Sequence, residues 1–307
     1  MGCTTSKNTS TREVRIVISR PESVNPIATV INDEKYPLPK KNYGGDRLAL
    51  QHNIFKYIWQ SNFSAPVNEK LETGAKVLDF GCGTATWLID LSSQYPKSSF
   101  FGVEKPSSVL RDLTPSTPQN VSIQYCDLLS KLPFEDETFD FIYIRFMASV
   151  IPDNNFKEVI NELVRVLKTD GYMEIMDVDA QGGNEGMLTQ EFMSSVRSYY
   201  KSVGINPTIT ATLEPLFRSK SHLASITTER QCYPIGNWDN PIGEIALENL
   251  LMVLKQIKSH LASYMKLNED EYDMKLFNIK EEVNIFQTYW NSVRVYGKKV
   301  TEMRSSI

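Results

Sequence analysis

Through its middle third the chain alternates short apolar runs with amphipathic stretches, and that alternation sets the reading. Five runs, at 76–80, 99–103, 121–126, 139–145 and 172–178, predict strands. The fourth carries few charges, as a strand covered on both faces of a parallel sheet does. Helical patterns separate the runs. One spans 84–94 and halts before Pro96; another spans 156–168, with Val159, Leu163, Val166 and Leu167 inward. Thr169-Asp170-Gly171 closes this second helix, with Gly171 as its left-handed stop. Five alternating βα units predict an α/β, Rossmann-like, doubly wound parallel sheet.

The flanks break the repeat. A helix over 48–60 presents Leu50, Ile54 and Ile58 on one face, and 62–74 reads as a loop. After the fifth strand come helices at 187–203 and 208–220, then a strand at 223–234. A long helix over 244–265 follows, with Leu250, Leu254, Ile257, Leu261 and Tyr264 on one stripe. A helix at 271–286 and a strand within 289–300 end the pattern. The late strands predict a seven-stranded, mostly parallel sheet with an antiparallel last strand, an N-terminal helix and a C-terminal helical insertion. Residues 1–41, rich in Ser, Thr, Asn and Pro, read as a disordered tail. The folded domain covers 42–307, with a cofactor-binding core at 75–180 and substrate or lid helices and edge strands at 181–300.

Composition narrows the class. A chain of 307 residues with 41% apolar residues can bury a full core. A net charge of −4 argues against nucleic-acid binding by bulk electrostatics. Cys3, Cys82, Cys126 and Cys232 are scattered, which points to a reducing, cytoplasmic setting, and neither they nor the three histidines suggest a metal site. No apolar run nears the ~18 residues of a membrane span. The first residues fit the myristoylation pattern: Gly2 is the acceptor, Ser6 completes the motif, and Cys3 is a palmitoyl site. With Lys7, Arg12, Arg15 and Arg20 against Glu13, this predicts a lipid-held, membrane-associated N-terminus.

The chemistry gathers on Lys76-Val77-Leu78-Asp79-Phe80-Gly81-Cys82-Gly83-Thr84-Ala85-Thr86-Trp87. Strand, glycine turn and helix start follow one another. Gly81 and Gly83 let backbone pass close to a ligand, and Asp79 sits at the strand's carboxyl end, where open α/β sheets bind. The third glycine of the dinucleotide pattern is absent, Ala85 and Thr86 standing where the turn closes, which weakens a pyrophosphate site. Glu104 ends the second strand, where a carboxylate can accept both hydroxyls of a ribose.

Val77 to Thr84 resembles motif I of class I S-adenosylmethionine-dependent methyltransferases. Glu104 resembles their ribose-binding acid, and Asp127-Leu128 the pair that reads adenine. Leu132-Pro133-Phe134 through Phe139-Asp140 is similar to their approach to strand four, and Leu167-Lys168-Thr169-Asp170-Gly171 to their turn before strand five. The resemblance covers about 75–180. A narrower one, over roughly 43–299, is to the fungal LaeA-type methyltransferases, regulators of secondary metabolism. It rests on Asp46-Arg47-Leu48-Ala49-Leu50-Gln51-His52, Trp87, Tyr233-Pro234-Ile235-Gly236-Asn237-Trp238, Ile242-Gly243-Glu244 and Val295-Tyr296-Gly297-Lys298-Lys299. Cys82 replaces a commoner Thr or Ala, and Thr169-Asp170 replaces Pro-Gly.

The resemblance implies S-adenosyl-L-methionine as cofactor, held by Asp79, Gly81, Cys82, Gly83, Glu104, Asp127, Leu128 and Arg145. The acceptor it implies is a small molecule or a protein. A sulfonium methyl is already activated, so a general base is optional. Tyr143, Asp177 and Asp179 are the candidates for that role; Asp177 and Asp179 read equally as solvated strand-end carboxylates, and Arg145 equally as a structural ion pair. His52 is a candidate lid residue, and Tyr233 and Trp238 are candidates for pocket wall or core. Two other functions use the same sheet. A nicotinamide oxidoreductase is disfavoured by Ala85 and by the absence of a Tyr-x-x-x-Lys pair. A cofactor-binding regulatory scaffold with little turnover is compatible with the motifs.

Overall fold

The structure, a computed structural model, describes residues 47–105 and 118–301. The tail, with Gly2 and Cys3, lies outside the described residues, as does Asp46. Helices α1 (Arg47–Trp59) and α2 (Asn68–Thr73) precede the sheet. Then come β1 (Lys76–Phe80), α3 (Thr86–Gln94), β2 (Ser99–Glu104), β3 (Val121–Tyr125) and β4 (Phe139–Arg145). They are followed by α4 (Phe156–Val166), β5 (Leu167–Gly183), α5 (Met187–Ser202), α6 (Thr210–Arg218) and β6 (Leu223–Pro234). The chain closes with α7 (Pro241–Gln256), α8 (Lys258–Met265), α9 (Glu269–Ile285) and β7 (Tyr289–Lys299).

The seven strands run in the order β3-β2-β1-β4-β5-β7-β6. The pairs β2/β3, β1/β2, β1/β4 and β4/β5 are parallel, and the last strands are antiparallel. The strand order reverses between β1 and β4, which makes the carboxyl end of β1 the switch point where such sheets bind ligands.

Three local expectations give way. The predicted loop at 62–74 contains α2. The single helix at 244–265 is two helices, broken at Ile257 (φ −96°, ψ 6°), although its apolar stripe runs on through the break. Gly171 is not the stop of α4. The helix ends at Val166, Leu167 is already extended, and Asp170 takes the left-handed backbone at φ 65°. Gly171 lies inside β5, beside a register shift against β4. A Cβ there would crowd Leu167, the Lys168 carbonyl and the Asp140 carbonyl, so the residue answers to close packing.

The chain divides into two compact units. One comprises residues up to 61, 178–203 and 230–292. In it α1 packs on α7, and α5 packs on α8 and α9. Asn240 caps α7 ahead of Pro241, and Asn268 with Glu271 forms a capping box on α9. The Glu282 carboxylate accepts from the amides of Leu188 (3.0 Å) and Thr189 (2.6 Å), giving α5 its N-terminal anion. His52 is buried here, and Tyr233 is buried edge-on to Phe55 at 5.4 Å. Trp238, half-buried, donates to the Thr288 carbonyl at 2.9 Å.

The other unit comprises 62–177, 204–229 and residues from 293 on, and holds most of the sheet. One sheet face is apolar: Leu78, Phe80, Ile142, Ile144, Met173, Ile175, Val293 and Val295 pack with α4 and α6. The opposite face is different. Asp79 pairs with Tyr143, and Tyr143 with Glu174, so these three side chains share that face. Glu174 is fully buried and accepts from the amides of Ser64 (2.8 Å) and Ala65 (2.7 Å). Arg294 from β7, also buried, reaches it at 3.5 Å. Ser64 in turn donates its hydroxyl to Glu229 at 2.7 Å.

This buried pair generates a prediction. Arg294→Met leaves the Glu174 carboxylate without its cation, and breaking a buried pair on one side costs about 3–5 kcal/mol. Urea unfolding should read that loss. Adding Glu174→Gln, which keeps an acceptor for the Ser64 and Ala65 amides but removes the charge, should recover part of it.

Candidate functional site

The site forms at the carboxyl ends of β1, β2 and β4, all within the second unit. After Phe80 the chain turns through Gly81 (φ 75°), Gly83 (φ 54°) and Ala85 (φ 57°), and α3 starts at Thr86. The turn is tied to β2. The amides of Gly81 and Cys82 donate to the Val103 carbonyl at 2.9 and 3.1 Å. The Gly83 amide donates to Glu104 Oε2 at 2.9 Å, and Lys105 N donates to Oε1 at 2.9 Å. Each Glu104 oxygen keeps acceptor capacity, and the side chain is half-buried rather than free.

Asp79 is fully buried, and neither carboxylate oxygen has a hydrogen-bond partner among the described residues. Burial pushes its pKa up to about 7, against the pull of the Arg145 guanidinium and with a further push from Glu104. Cys82 is buried, and that burial, with Asp79 and Glu104 nearby, pushes its thiol up. Its sulfur also fills the space beside Gly102, which has no room for a Cβ.

Asp127 is exposed and held in a turn. It accepts from Ser130 Oγ (2.7 Å) and Leu129 N (3.0 Å), and these bonds hold its carboxyl below the usual range. Leu128 is buried beside it. The structure therefore brings together Asp79, Gly81, Cys82, Gly83, Glu104 and Arg145, and sets Asp127 and Leu128 just beyond β3, itself paired with β2.

The candidates for proton transfer fall out differently. Tyr143 is buried and stacked on Trp87, ring centroids 4.3 Å apart, with its hydroxyl 3.7 Å from Met176 Sδ. Burial pushes its pKa up to about 12, an environment unsuited to a base at neutral pH. Asp177 is buried, not a solvated carboxylate, and accepts from Ala148 N at 2.9 Å. Asp179, half-buried, falls in the first unit.

Two features had no signal in the sequence. Trp87 donates its indole N–H to the Asn62 carbonyl at 3.0 Å, which ties α3 to the segment held by Glu174. The space a Cβ would need at Gly81 is taken by the Met147 thioether. That glycine is required for a side chain 66 residues away as well as for any ligand. Among the described residues no cluster of His, Cys, Asp and Glu could hold a metal ion.

Residues 77–171 match the family described as a methyltransferase domain. Methyltransferase str3 of Strobilurus tenacellus is 27% identical over 260 residues, covering 82% of this chain and 85% of that protein. Methyltransferase str2 of the same organism is 28% identical over 204 residues, covering 64% and 69%. Among solved structures, phosphoethanolamine N-methyltransferase 2 of Haemonchus contortus, with phosphomonomethylethanolamine and S-adenosylhomocysteine, shares the fold. Its TM-score is 0.50 at 16% identity, over 87% of this chain and 60% of that one. The chain is therefore a methyltransferase. Its architecture is class I, the class that draws its methyl from S-adenosylmethionine.

The residues present fit such a donor: a buried acid whose oxygens have no hydrogen-bond partner among the described residues, a glycine turn and a strand-end acid with spare acceptor sites. Asp79 also makes the site measurable through pH. The folded state holds its proton up to about 7, whereas the unfolded chain releases it near 3.8. Between those values the folded state binds more protons, so the Asp79 contribution to stability falls as pH rises through the window. Asp79→Asn removes that slope. Urea midpoints from pH 4 to 8 should show wild type losing stability relative to Asp79→Asn up to about pH 7, then running parallel.

Proposed function

We propose that the carboxyl ends of β1 to β4 bind S-adenosylmethionine and that the chain passes its methyl to an acceptor that is a small molecule or a protein. The observation that carries the reading is Asp79, buried beside the glycine turn with no hydrogen-bond partner among the described residues. S-adenosylmethionine supplies a methyl already activated on a sulfonium. Asp79 faces the cationic part of the donor, with Arg145 balancing its charge in the donor's absence. Glu104, oriented by the amides of Gly83 and Lys105, takes the ribose hydroxyls. Gly81, Cys82 and Gly83 present backbone to the donor, and Asp127 and Leu128 hold the adenine. The bond from Ser130 fixes the Asp127 rotamer before any ligand arrives.

The finer kinship to LaeA-type methyltransferases rests on sequence motifs, chiefly Tyr233 to Trp238 with Ile242-Gly243-Glu244. A regulatory scaffold with little turnover draws no support from the relatives, whose names are those of methyltransferases.

The test is transfer from labelled S-adenosylmethionine into a lysate, with protein and small molecules separated afterwards. Label in neither fraction, from folded protein, would sink the reading. Glu104→Ala should weaken donor binding by about 1.5–3 kcal/mol, the worth of a carboxylate taking two hydroxyl bonds. Unchanged affinity by calorimetry rejects the ribose assignment.

Membrane association is a separate part of this reading. Where Met1 is the initiating residue, Gly2 is the myristoyl acceptor and Cys3 the second signal that one chain alone needs. Among the described residues no helix is long and apolar enough to cross a membrane. Gly2→Ala and Cys3→Ser should both move the protein into the soluble fraction of the native cell. Wild-type partitioning of both variants ends the anchor idea.

A further inference from the structure

The turn after β4 is held from β5, and it carries the side chain that lies on the glycine turn. Phe146 sits in the left-handed region at φ 55°, an unusual place for a bulky residue. Its amide donates to the Met176 carbonyl at 3.0 Å. The next two residues are buried in the apolar cluster of the second unit. Ala148 donates its amide to Asp177 Oδ2 at 2.9 Å. Met147 lies where a Cβ on Gly81 would be, with its sulfur, terminal methyl and Cγ all against that position. Asp177 is only 4% exposed and lies within β5, one residue past Met176, the last paired with β4, and the preceding Met173 and Ile175 belong to the same cluster. A carboxylate in such surroundings is retained where its hydrogen bonds do something that an apolar residue cannot.

We infer that Asp177 is a positioning residue for the methyl-donor site: through the Ala148 amide it fixes the turn that seats Met147 on Gly81, and Met147 thereby forms a wall of the glycine turn. The inference rests on the donor reading above. It gives Asp177 a role distinct from that of a base. A base must lose and gain a proton at the acceptor. A positioning acid needs only an oxygen that accepts from Ala148 N, and an amide oxygen supplies that equally well. Met147 is the second half of the device. Its thioether is flexible and polarisable, suited to filling the irregular space above a turn with two left-handed glycines.

The experiment compares Asp177→Asn, Asp177→Ala and Met147→Ala in the full chain. Calorimetry gives the affinity for S-adenosylhomocysteine, and steady-state turnover with the labelled donor gives KM and kcat. Hydrogen exchange of the 146–148 backbone is followed without ligand. Asp177→Ala should expose the Ala148 amide to exchange and weaken S-adenosylhomocysteine by about 5- to 10-fold, the worth of one buried hydrogen bond. Asp177→Asn should restore both the slow exchange and the affinity, with its pH profile unchanged. Met147→Ala should weaken the ligand while leaving the Ala148 amide protected, which keeps the test alive should Asp177→Ala fold poorly. Loss of kcat in Asp177→Asn with affinity intact would make Asp177 a base and overturn the proposal. Wild-type affinity in Asp177→Ala and Met147→Ala would overturn it too, leaving the donor reading standing. A wild-type chain that does not bind S-adenosylhomocysteine removes the donor reading itself, and the proposal with it.

Discussion

A carboxylate cut off from water must be answered by donors, and Glu174 is answered from two distant stretches of chain. Ser64 and Ala65 give backbone amides from the segment ahead of α2, and Arg294 gives its guanidinium from β7. Burial still pushes the Glu174 pKa up to about 7 against the Arg294 charge and those amides. A carboxyl balanced this closely tolerates little displacement of its partners. The consequence travels outward. Segment 62–65 is fixed, so the Asn62 carbonyl is in place for the Trp87 indole. Trp87 is then locked as the stacking partner of Tyr143, whose strand neighbour across the pairing is Asp79. The site's buried acid thus rests on a framework whose order originates at a second buried acid two strands away.

What the sequence disclosed follows from the range of the interactions involved. Strands β1 to β4 are written locally, as apolar runs closed by turn residues, and they fold with nearly the expected bounds. The glycine turn and Glu104 are likewise local, because turn chemistry and βα spacing place them. The break at Ile257 is invisible because the apolar stripe from Leu250 to Leu261 continues through it, so the side-chain pattern gives no hint of a backbone change. Gly171 misleads for a related reason. A glycine after a helix suggests the left-handed stop, but here Asp170 adopts that conformation and the glycine is kept for clearance from the Asp140 carbonyl.

Residues that act at a distance were the hidden ones. Glu174 and Arg294 are 120 positions apart, and each by itself is one charge in a strand pattern. Met147 follows β4 as an ordinary apolar residue, and only the fold brings it onto Gly81. Asp177 was expected as a strand-end acid, but β5 runs on to Gly183; its burial and its bond to Ala148 N are properties of β5 and the turn after β4 together. Identity of a residue can be read along the chain; its solvation cannot.

Solvation is what decides the chemistry this site suits. Burial has shifted three of its titratable groups upward. Burial pushes Tyr143 up to about 12 and raises the Cys82 thiol, so both hold their protons at neutral pH, while Asp79 is pushed up to about 7. Transfer of a methyl from a sulfonium needs no proton on the donor side, since the leaving sulfur departs neutral; any proton on the attacking atom of the acceptor must still leave. The same burial is useful to a cationic donor. A buried acid whose charge Arg145 only partly balances favours the arrival of further positive charge, and binding that charge shifts Asp79 toward its ionised form. The costly burial of Asp79 is therefore consistent with a function in which the protein binds and orients an already reactive group.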